Sequence, residues 1–170
     1  LHDALPIFAT YYTATRLYSR QVGVFAALVL TSGLLFNFIS RLIILDVAVT
    51  CFLTLTLYSF LLATEAKTKK QQTVYLALFF INAALSVLSK GLIGILIPGA
   101  IIILWSVFTK QYKQILLGFK PWGILLFLAI AAPWHILVAQ QNPEFLWFYF
   151  VHEHFLRYLT SVHGRTQSIF

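Results

Sequence analysis

Charged residues are scarce in this sequence. Only 10% of its 170 residues are Asp, Glu, Lys or Arg, whereas 60% are hydrophobic, and the mean hydropathy is +0.85. So little charge cannot cover the surface of a water-soluble fold of this length, and the composition therefore excludes an ordinary soluble domain. It predicts a protein that crosses a membrane several times.

Acidic residues are especially rare. The sequence has five Asp and Glu and twelve Lys and Arg, which gives a formal charge of +7. In a soluble protein this excess would point to a nucleic-acid partner. Here the basic residues lie in short breaks between apolar runs, where they act as signals of membrane topology. We therefore expect no nucleic-acid partner.

Cysteine and methionine are almost absent. The one cysteine, Cys51, lies in an apolar run and cannot form a disulfide within the chain. No basic segment opens the sequence, and the apolar stretch that ends at Tyr18 is too short to span a membrane, so we find no signal peptide. Because an initiator methionine is also missing, we expect the sequence to be an internal piece of a longer protein.

The sequence consists mainly of long apolar segments. Their lengths fit helices that cross a membrane, although the third and fourth are near or below the lower limit of about 17 residues. The segments cover residues 21–38, 42–63, 73–88, 92–108 and 122–139. The sequence thus predicts an all-α polytopic transmembrane bundle. Residues 1–170 form part of one domain, with about five spanning helices and an interfacial helix in the amphipathic stretch 140–170.

The breaks between these segments differ in basic charge. Counted alternately, one side of the membrane receives eight Lys and Arg and the other receives four. The eight are Arg16, Arg20, Lys67, Lys69, Lys70, Lys110, Lys113 and Lys120, and the four are Arg41, Lys90, Arg157 and Arg165. The positive-inside rule predicts that the first set is cytoplasmic and that stretch 140–170 faces outwards. We interpret the cytoplasmic breaks 65–72 and 109–120 as solvated loops.

The sequence has no phosphate-binding glycine loop, CxxC pair, HExxH or GxSxG motif. The main chemical feature of the outer face is therefore the charge at the ends of the predicted spans. Such charges are costly unless they are paired or functional. Arg41 and Asp46 are explained equally well by a structural ion pair or by a site. Lys90, in the run SVLSKGLIGILIPG, has no acidic neighbour in the sequence, so we expect it to bind an anion.

The stretch 140–170 holds a second group of polar residues among many aromatic ones. If it is helical, Glu153 and Arg157 lie four residues apart on one face, in the favourable order for an ion pair. His152 and His154 then point to nearly opposite sides, so a regular helix cannot give both to one metal ion. Two interpretations stay open: an aromatic anchor at the membrane surface with an ordinary salt bridge, or part of a functional site.

Together the outer charges suit a phosphate or pyrophosphate carried on a lipid. Lys90 and Arg157 are the proposed anion ligands, with Arg41, Asp46 and Glu153 beside them, because arginine binds phosphate oxygens as a fork and lysine as a point charge. A glycosyl donor on such a carrier needs its phosphate held as leaving group while a carboxylate activates the acceptor. The competing interpretations are a membrane transporter and a bundle subunit without catalytic activity.

Three stretches resemble the bacterial aminoarabinose transferase and protein mannosyltransferase family of polyprenyl-phosphate-dependent glycosyltransferases. They are FISRLIILDVAVTCFLTLTLYSF, LSVLSKGLIGILIP and IAAPWHILVAQQNPEFLWFYFVHEHFLRYLTSVHGR. The resemblance begins at about Thr13, and its most specific parts are the Lys-Gly and Glu-His-x-x-Arg segments. Residues 1–7 do not share it and are expected to be foreign sequence. The resemblance implies a GT-C fold in the bacterial inner membrane, with a catalytic cavity on the periplasmic face.

The resemblance also implies roles for individual residues. Asp46 matches an acidic residue that supports catalysis by shaping the cavity, while Lys90 and Arg157 match residues that contact the carrier phosphate or the sugar. A histidine that helps family members to bind a divalent metal ion is matched by His152, with His154 as the alternative. Apart from this metal ion, the resemblance implies no cofactor.

The reaction that the resemblance implies is an inverting transfer. An acceptor hydroxyl or phosphate attacks the anomeric carbon of a sugar on polyprenyl phosphate, and Lys90 and Arg157 stabilise the departing phosphate. The carboxylate that serves as base in the family lies in a loop upstream of this sequence, so we expect the chain alone to be inactive. The expected partners are membrane lipid, the lipid-linked donor, and an acceptor that is lipid A, another glycan or a protein.

Overall fold

The computed structural model describes residues 4–40, 45–142 and 144, and every regular element in these ranges is helical. The α-helices are α1 (Ala4–Leu17), α2 (Arg20–Ser32), α3 (Leu34–Ser40), α4 (Leu45–Thr64), α5 (Lys69–Lys90), α6 (Ile93–Phe108) and α7 (Pro121–Gln141), and a 3₁₀ helix (Tyr112–Phe119) precedes α7. The all-α class expected from the sequence is confirmed. The chain divides into two compact units, Leu1–Ala131 and Ala132–Phe170, with the boundary inside α7.

Helix α5 makes the most extensive helix contact of the first unit, with α4. It begins after Thr68, whose side-chain oxygen accepts a hydrogen bond from the Gln71 N–H at 3.2 Å and so caps the helix. It packs along α4 and against α6. The buried core that these elements share with the 3₁₀ helix consists of Phe60, Ala63, Leu76, Phe79, Phe80, Ile102 and Leu117. Three of these seven core residues are phenylalanines. The rings of Phe79 and Phe80 contact each other, with 4.9 Å between their centres.

Several helices are suited to a membrane. By length and composition, three of those in the described ranges are long and apolar enough to cross one, namely Asp46–Thr64, Lys69–Lys90 and Pro121–Gln141. The other two predicted spans overlap shorter apolar helices, Arg20–Ser32 and Ile93–Phe108. Large apolar side chains are exposed along α2, α6 and α7, as expected where lipid is the solvent. The count of five spans stays a prediction.

The first predicted span, 21–38, is divided at Gly33. Helix α2 ends at Ser32, and Gly33 is extended, with φ −65° and ψ 115°, while its N–H donates to the Leu30 carbonyl at 3.2 Å. Just before the break, the hydroxyls of Thr31 and Ser32 donate to carbonyls of their own helix at 2.7 and 3.0 Å. Such side-chain bonds favour a bend, and glycine has a low helix propensity, so the helix stops here.

Two breaks that were interpreted as loops are partly helical. Helix α5 begins at Lys69, four residues before the apolar run 73–88, because Thr68 caps it. In the break 109–120, residues Tyr112–Phe119 form the 3₁₀ helix, which buries Leu117 in the core. The segment is helical because residues 115–119 (ILLGF) are apolar, and Leu117 among them packs into the core.

The connections that carry most of the basic residues lie at one end of the first unit. The Tyr12 hydroxyl is 3.1 Å from that of Tyr75, near the start of α5, and the Arg16 guanidinium carbon is 5.2 Å from the centre of the Tyr12 ring. Thr10 and Tyr58, in the second half of α4, share a hydrogen bond of 3.1 Å. The α1–α2 turn is thus on the same side as the α4–α5 connection. The α6–α7 connection lies there too, because α6 runs back along α5.

Candidate functional site

Two predicted site residues meet at the opposite end of this unit, where α4 begins and α5 ends. Lys90 is the last residue of α5, and its Nζ forms an ion pair with Oδ1 of Asp46 in the first turn of α4. The two residues are 44 positions apart in the sequence. The structure therefore gives Lys90 the acidic partner that its sequence neighbours do not supply.

The helix ends favour the positions of both charges. The N-terminus of a helix carries partial positive charge and the C-terminus partial negative charge. Asp46, in the first turn of α4, and Lys90, in the last turn of α5, each complement the dipole of their own helix. The ammonium group is therefore fixed at one place by its helix and by its partner.

Both side chains of the pair remain open to their surroundings. Lys90 is 45% exposed and Asp46 is 54% exposed. An ammonium group has three donors, and within the described ranges only Asp46 accepts from this one. Ammonium donors of this kind suit the oxygens of an anionic ligand. An exposed ion pair of this kind contributes little to the stability of the fold.

Two glycines shape the turn that follows Lys90. Gly91 has φ 78° and ψ −153°, a combination that is essentially restricted to glycine. A Cβ on Gly94 would lie 2.6 Å from the backbone C of Ser86 and the backbone N of Val87, so α6 approaches α5 more closely than a larger residue permits. The segment Lys-Gly-Leu-Ile-Gly thus forms a tight helical hairpin that fixes the end of α5.

A family model described as dolichyl-phosphate-mannose-protein mannosyltransferase matches residues 1–137. The chain belongs to this family. The matched region contains both members of the ion pair and the hairpin between α5 and α6. It also contains residues 1–7, which lie outside the stretches that carry the resemblance in the sequence.

The chain is also similar to undecaprenyl phosphate-alpha-4-amino-4-deoxy-L-arabinose arabinosyl transferases. The one from Erwinia tasmaniensis is 28% identical over 158 residues, which are 92% of this chain and 28% of the relative. Transferase 1 from Proteus mirabilis is 31% identical over 125 residues, which are 73% of this chain and 22% of the relative. The chain therefore spans 28% or less of the length of these two relatives.

Solved structures of ArnT from Cupriavidus metallidurans share the fold. The apo structure has a TM-score of 0.83 at 24% identity, over 90% of this chain and 29% of ArnT. The structure bound to undecaprenyl phosphate has a TM-score of 0.84 at 23% identity, over 91% of this chain and 29% of ArnT. The similarity confirms the GT-C fold that the resemblance implied.

The other predicted site residues lie outside the described ranges. They are Arg41, His152, Glu153, His154 and Arg157. Within the described ranges, no group of three or more His, Cys, Asp or Glu residues is placed to hold a metal ion. The metal ligand expected at His152, with His154 as the alternative, stays a prediction.

Helix α7 contains one ionisable residue that the sequence patterns above do not single out, His135. His135 lies in the second unit, and its ring meets the Trp134 ring edge-on, with 4.9 Å between the ring centres. An ionisable residue in a membrane-spanning helix is a candidate for a functional role. The available signal was that His135 is the only ionisable residue of the apolar segment 122–139.

We expect Gly91→Ala to destabilise the full-length gene product by about 1–3 kcal/mol, because alanine cannot adopt this backbone conformation without strain. Thermal unfolding of the purified protein in detergent measures the loss. The control is Gly99→Ala in α6, whose new methyl group has no other atom within 4 Å and which should be neutral or slightly stabilising. If Gly91→Ala unfolded at the wild-type temperature, the conformation assigned to the hairpin would be wrong.

Proposed function

We propose that the full-length gene product is a membrane glycosyltransferase that moves a sugar from a polyprenyl-phosphate donor to an acceptor on the periplasmic face of the bacterial inner membrane. The observation that carries the proposal is the half-exposed Lys90 ammonium, held by Asp46 at a helix end in a chain of the mannosyltransferase family. A fixed cation at the end of a spanning helix is suited to a phosphate whose lipid tail lies in the bilayer.

The donor class is supported by the relatives and by the chemistry of the site. The arabinosyl transferase relatives are named after a sugar on undecaprenyl phosphate, and one ArnT structure contains undecaprenyl phosphate. A phosphate attached to a sugar and a polyprenyl chain keeps one negative charge, which Lys90 can meet. Near the hydrocarbon the low dielectric strengthens this attraction.

The reaction we propose is a single displacement. The acceptor oxygen attacks the anomeric carbon, the bond from that carbon to the phosphate oxygen breaks, and polyprenyl phosphate leaves with the electron pair. Lys90 supplies positive charge where negative charge grows on the phosphate, and we assign Arg157 the same task. A carboxylate from a more N-terminal part of the gene product accepts the proton of the acceptor. Asp46 acts as a positioning residue for Lys90.

Further roles rest on the predicted topology or on the resemblance. Arg41 and Glu153 are charged residues at the outer face in that topology, so we assign them to substrate binding. The resemblance leads us to assign His152, or His154 in its place, to a divalent metal ion. None of the steps above depends on that ion. In the predicted topology Arg41, Glu153 and the two histidines all lie at the outer face of the membrane, where they can contact the donor or the acceptor.

The orientation rests on the distribution of basic residues. The connections with most Lys and Arg lie at the end of the first unit away from Lys90, and the positive-inside rule assigns such an end to the cytoplasm. Lys90 then faces the periplasm. The aminoarabinose transferase resemblance favours lipid A as acceptor, and another glycan or a protein hydroxyl is the alternative.

The test uses membranes from cells that express the full-length gene, supplied with radiolabelled undecaprenyl-phosphate aminoarabinose and lipid A. We expect label to move to lipid A only when the gene is present, with membranes from empty-vector cells as control. A parallel assay in sealed vesicles without acceptor follows the intact donor across the membrane. Movement of intact donor with no labelled acceptor, for any donor sugar or acceptor class offered, would support a transporter and contradict the proposal.

A further inference from the structure

An apolar cavity of about 270 Å³ lies in the first unit, between α4, α5, α6, the 3₁₀ helix and the start of α7. Its walls include Phe79, Phe80, Pro98, Ile102, Ile115 and Phe127. The cavity is separate from the ion pair, because neither Asp46 nor Lys90 lines it. It therefore needs an explanation other than the binding of the sugar donor.

The lining is suited to a hydrocarbon chain. Thr56 is the lining residue with a polar side chain, and its hydroxyl already donates to the Phe52 carbonyl at 2.7 Å. Ile103 and Phe119 line the cavity and are exposed, so the cavity opens on the outer surface of the unit. An apolar cavity of about 150 Å³ can bind benzene, so a cavity of about 270 Å³ has room for several methylene groups of an acyl chain.

Three lysines lie in or next to the 3₁₀ helix, which supplies part of the cavity lining. The 3₁₀ helix, which supplies Ile115, Gly118 and Phe119 to the lining, carries Lys113 and is flanked by Lys110 and Lys120. No carboxylate in the described part of the chain pairs with any of these three lysines. Their charge therefore lies close in sequence to the lining residues Ile115, Gly118 and Phe119, on the side of the membrane that the positive-inside rule makes cytoplasmic.

We propose that this cavity binds one anionic phospholipid from the lysine-rich side of the membrane. One acyl chain enters the cavity, and the headgroup phosphate lies among Lys110, Lys113 and Lys120. The combination of an apolar cavity with a basic rim matches the two chemical parts of such a lipid. A further segment of the polypeptide would fill the cavity without using the lysines, which is why we favour the lipid. The site is independent of the proposed sugar transfer.

The test is native mass spectrometry of the delipidated full-length gene product with dioleoyl phosphatidylglycerol or dioleoyl phosphatidylcholine. We expect the anionic lipid to bind more tightly. Gly118→Leu should weaken binding of both lipids, because Gly118 lines the cavity and a Cβ added there meets no atom within 4 Å. Gly118→Ala, which adds one carbon, is the matched control. Gly99→Leu, also on the lining, gives an independent second way to fill the cavity.

The headgroup contact is tested with the triple variant Lys110→Gln, Lys113→Gln and Lys120→Gln. Each lysine removed should lower the preference for the anionic lipid roughly fivefold. The control changes Lys67, Lys69 and Lys70 to Gln, which are on the same side but do not flank the cavity. The proposal is overturned if wild type binds neither lipid, if both glycine-to-leucine variants bind like wild type, or if the two lysine triples behave alike.

Discussion

Replacing Lys90 by glutamine should lower kcat/KM for sugar transfer by the full-length gene product about 100-fold or more, since one group that stabilises developing charge typically contributes 10²–10³ in rate. Glutamine keeps hydrogen-bonding groups and removes the charge. Initial rates with radiolabelled donor measure the effect. Lys69→Gln is the matched control, because Lys69 is the first residue of the same helix and lies at its other end. It should transfer sugar at the wild-type rate.

A double-mutant cycle separates the role of Asp46 from that of Lys90. Asp46→Asn alone should reduce kcat/KM, because the ammonium group loses the carboxylate that positions it. The double variant with Lys90→Gln should lose no more than Lys90→Gln does, since Asp46 acts through Lys90 and residues that act as a unit are not additive. If the two losses multiplied, Asp46 would act on the reaction by itself. Near-normal transfer by Lys90→Gln would remove the phosphate contact from the mechanism.

The second large effect is expected at the contact between α5 and α6. Gly94→Leu should destabilise the protein by about 3 kcal/mol or more, because its Cβ alone already meets backbone atoms of Ser86 and Val87. Backbone cannot move aside as a flexible side chain can. Membrane helices pack closely where small residues face each other, and Ser86 and Gly94 form such a contact. Thermal unfolding in detergent gives the change in stability.

Gly99→Leu is the control for this substitution. It makes the same chemical change five residues further along α6, where no atom lies within 4 Å of the new Cβ, so the helix contact should survive. Sugar transfer supplies a second measurement for Gly94→Leu. When α6 is forced away from α5, the hairpin that fixes Lys90 is distorted, and transfer should fall together with stability. Equal stability of the two leucine variants would show that the helices do not touch at Gly94.

Hydropathy alone predicted the ends of helices α4 to α7 to within four residues. The predicted span 92–108 corresponds to Ile93–Phe108, and 122–139 corresponds to Pro121–Gln141. It did not locate the division at Gly33 or the 3₁₀ helix Tyr112–Phe119. Both depend on local hydrogen bonds and packing, which an average over apolar residues does not contain.

The site was predictable in outline and not in detail. Counting the breaks between spans placed Asp46 and Lys90 at the same face, and the structure brings their side chains into contact. Direct contact depends on how far α4 and α5 extend and how they pack, and neither quantity follows from hydropathy. The glycine requirement at Gly91 was visible only as a residue type, because its positive φ is a property of the folded hairpin.

The pairing of Asp46 with Lys90 also bears on how the protein is made. In the proposed orientation each charge has to cross the bilayer during synthesis, and carrying a single Asp or Lys to the centre of a spanning helix costs about 2.5–3.5 kcal/mol on the insertion scale. Together the two residues form a neutral pair. Helices α4 and α5 should therefore leave the translocation channel as one hairpin, with the first helix waiting for the second before either enters the lipid.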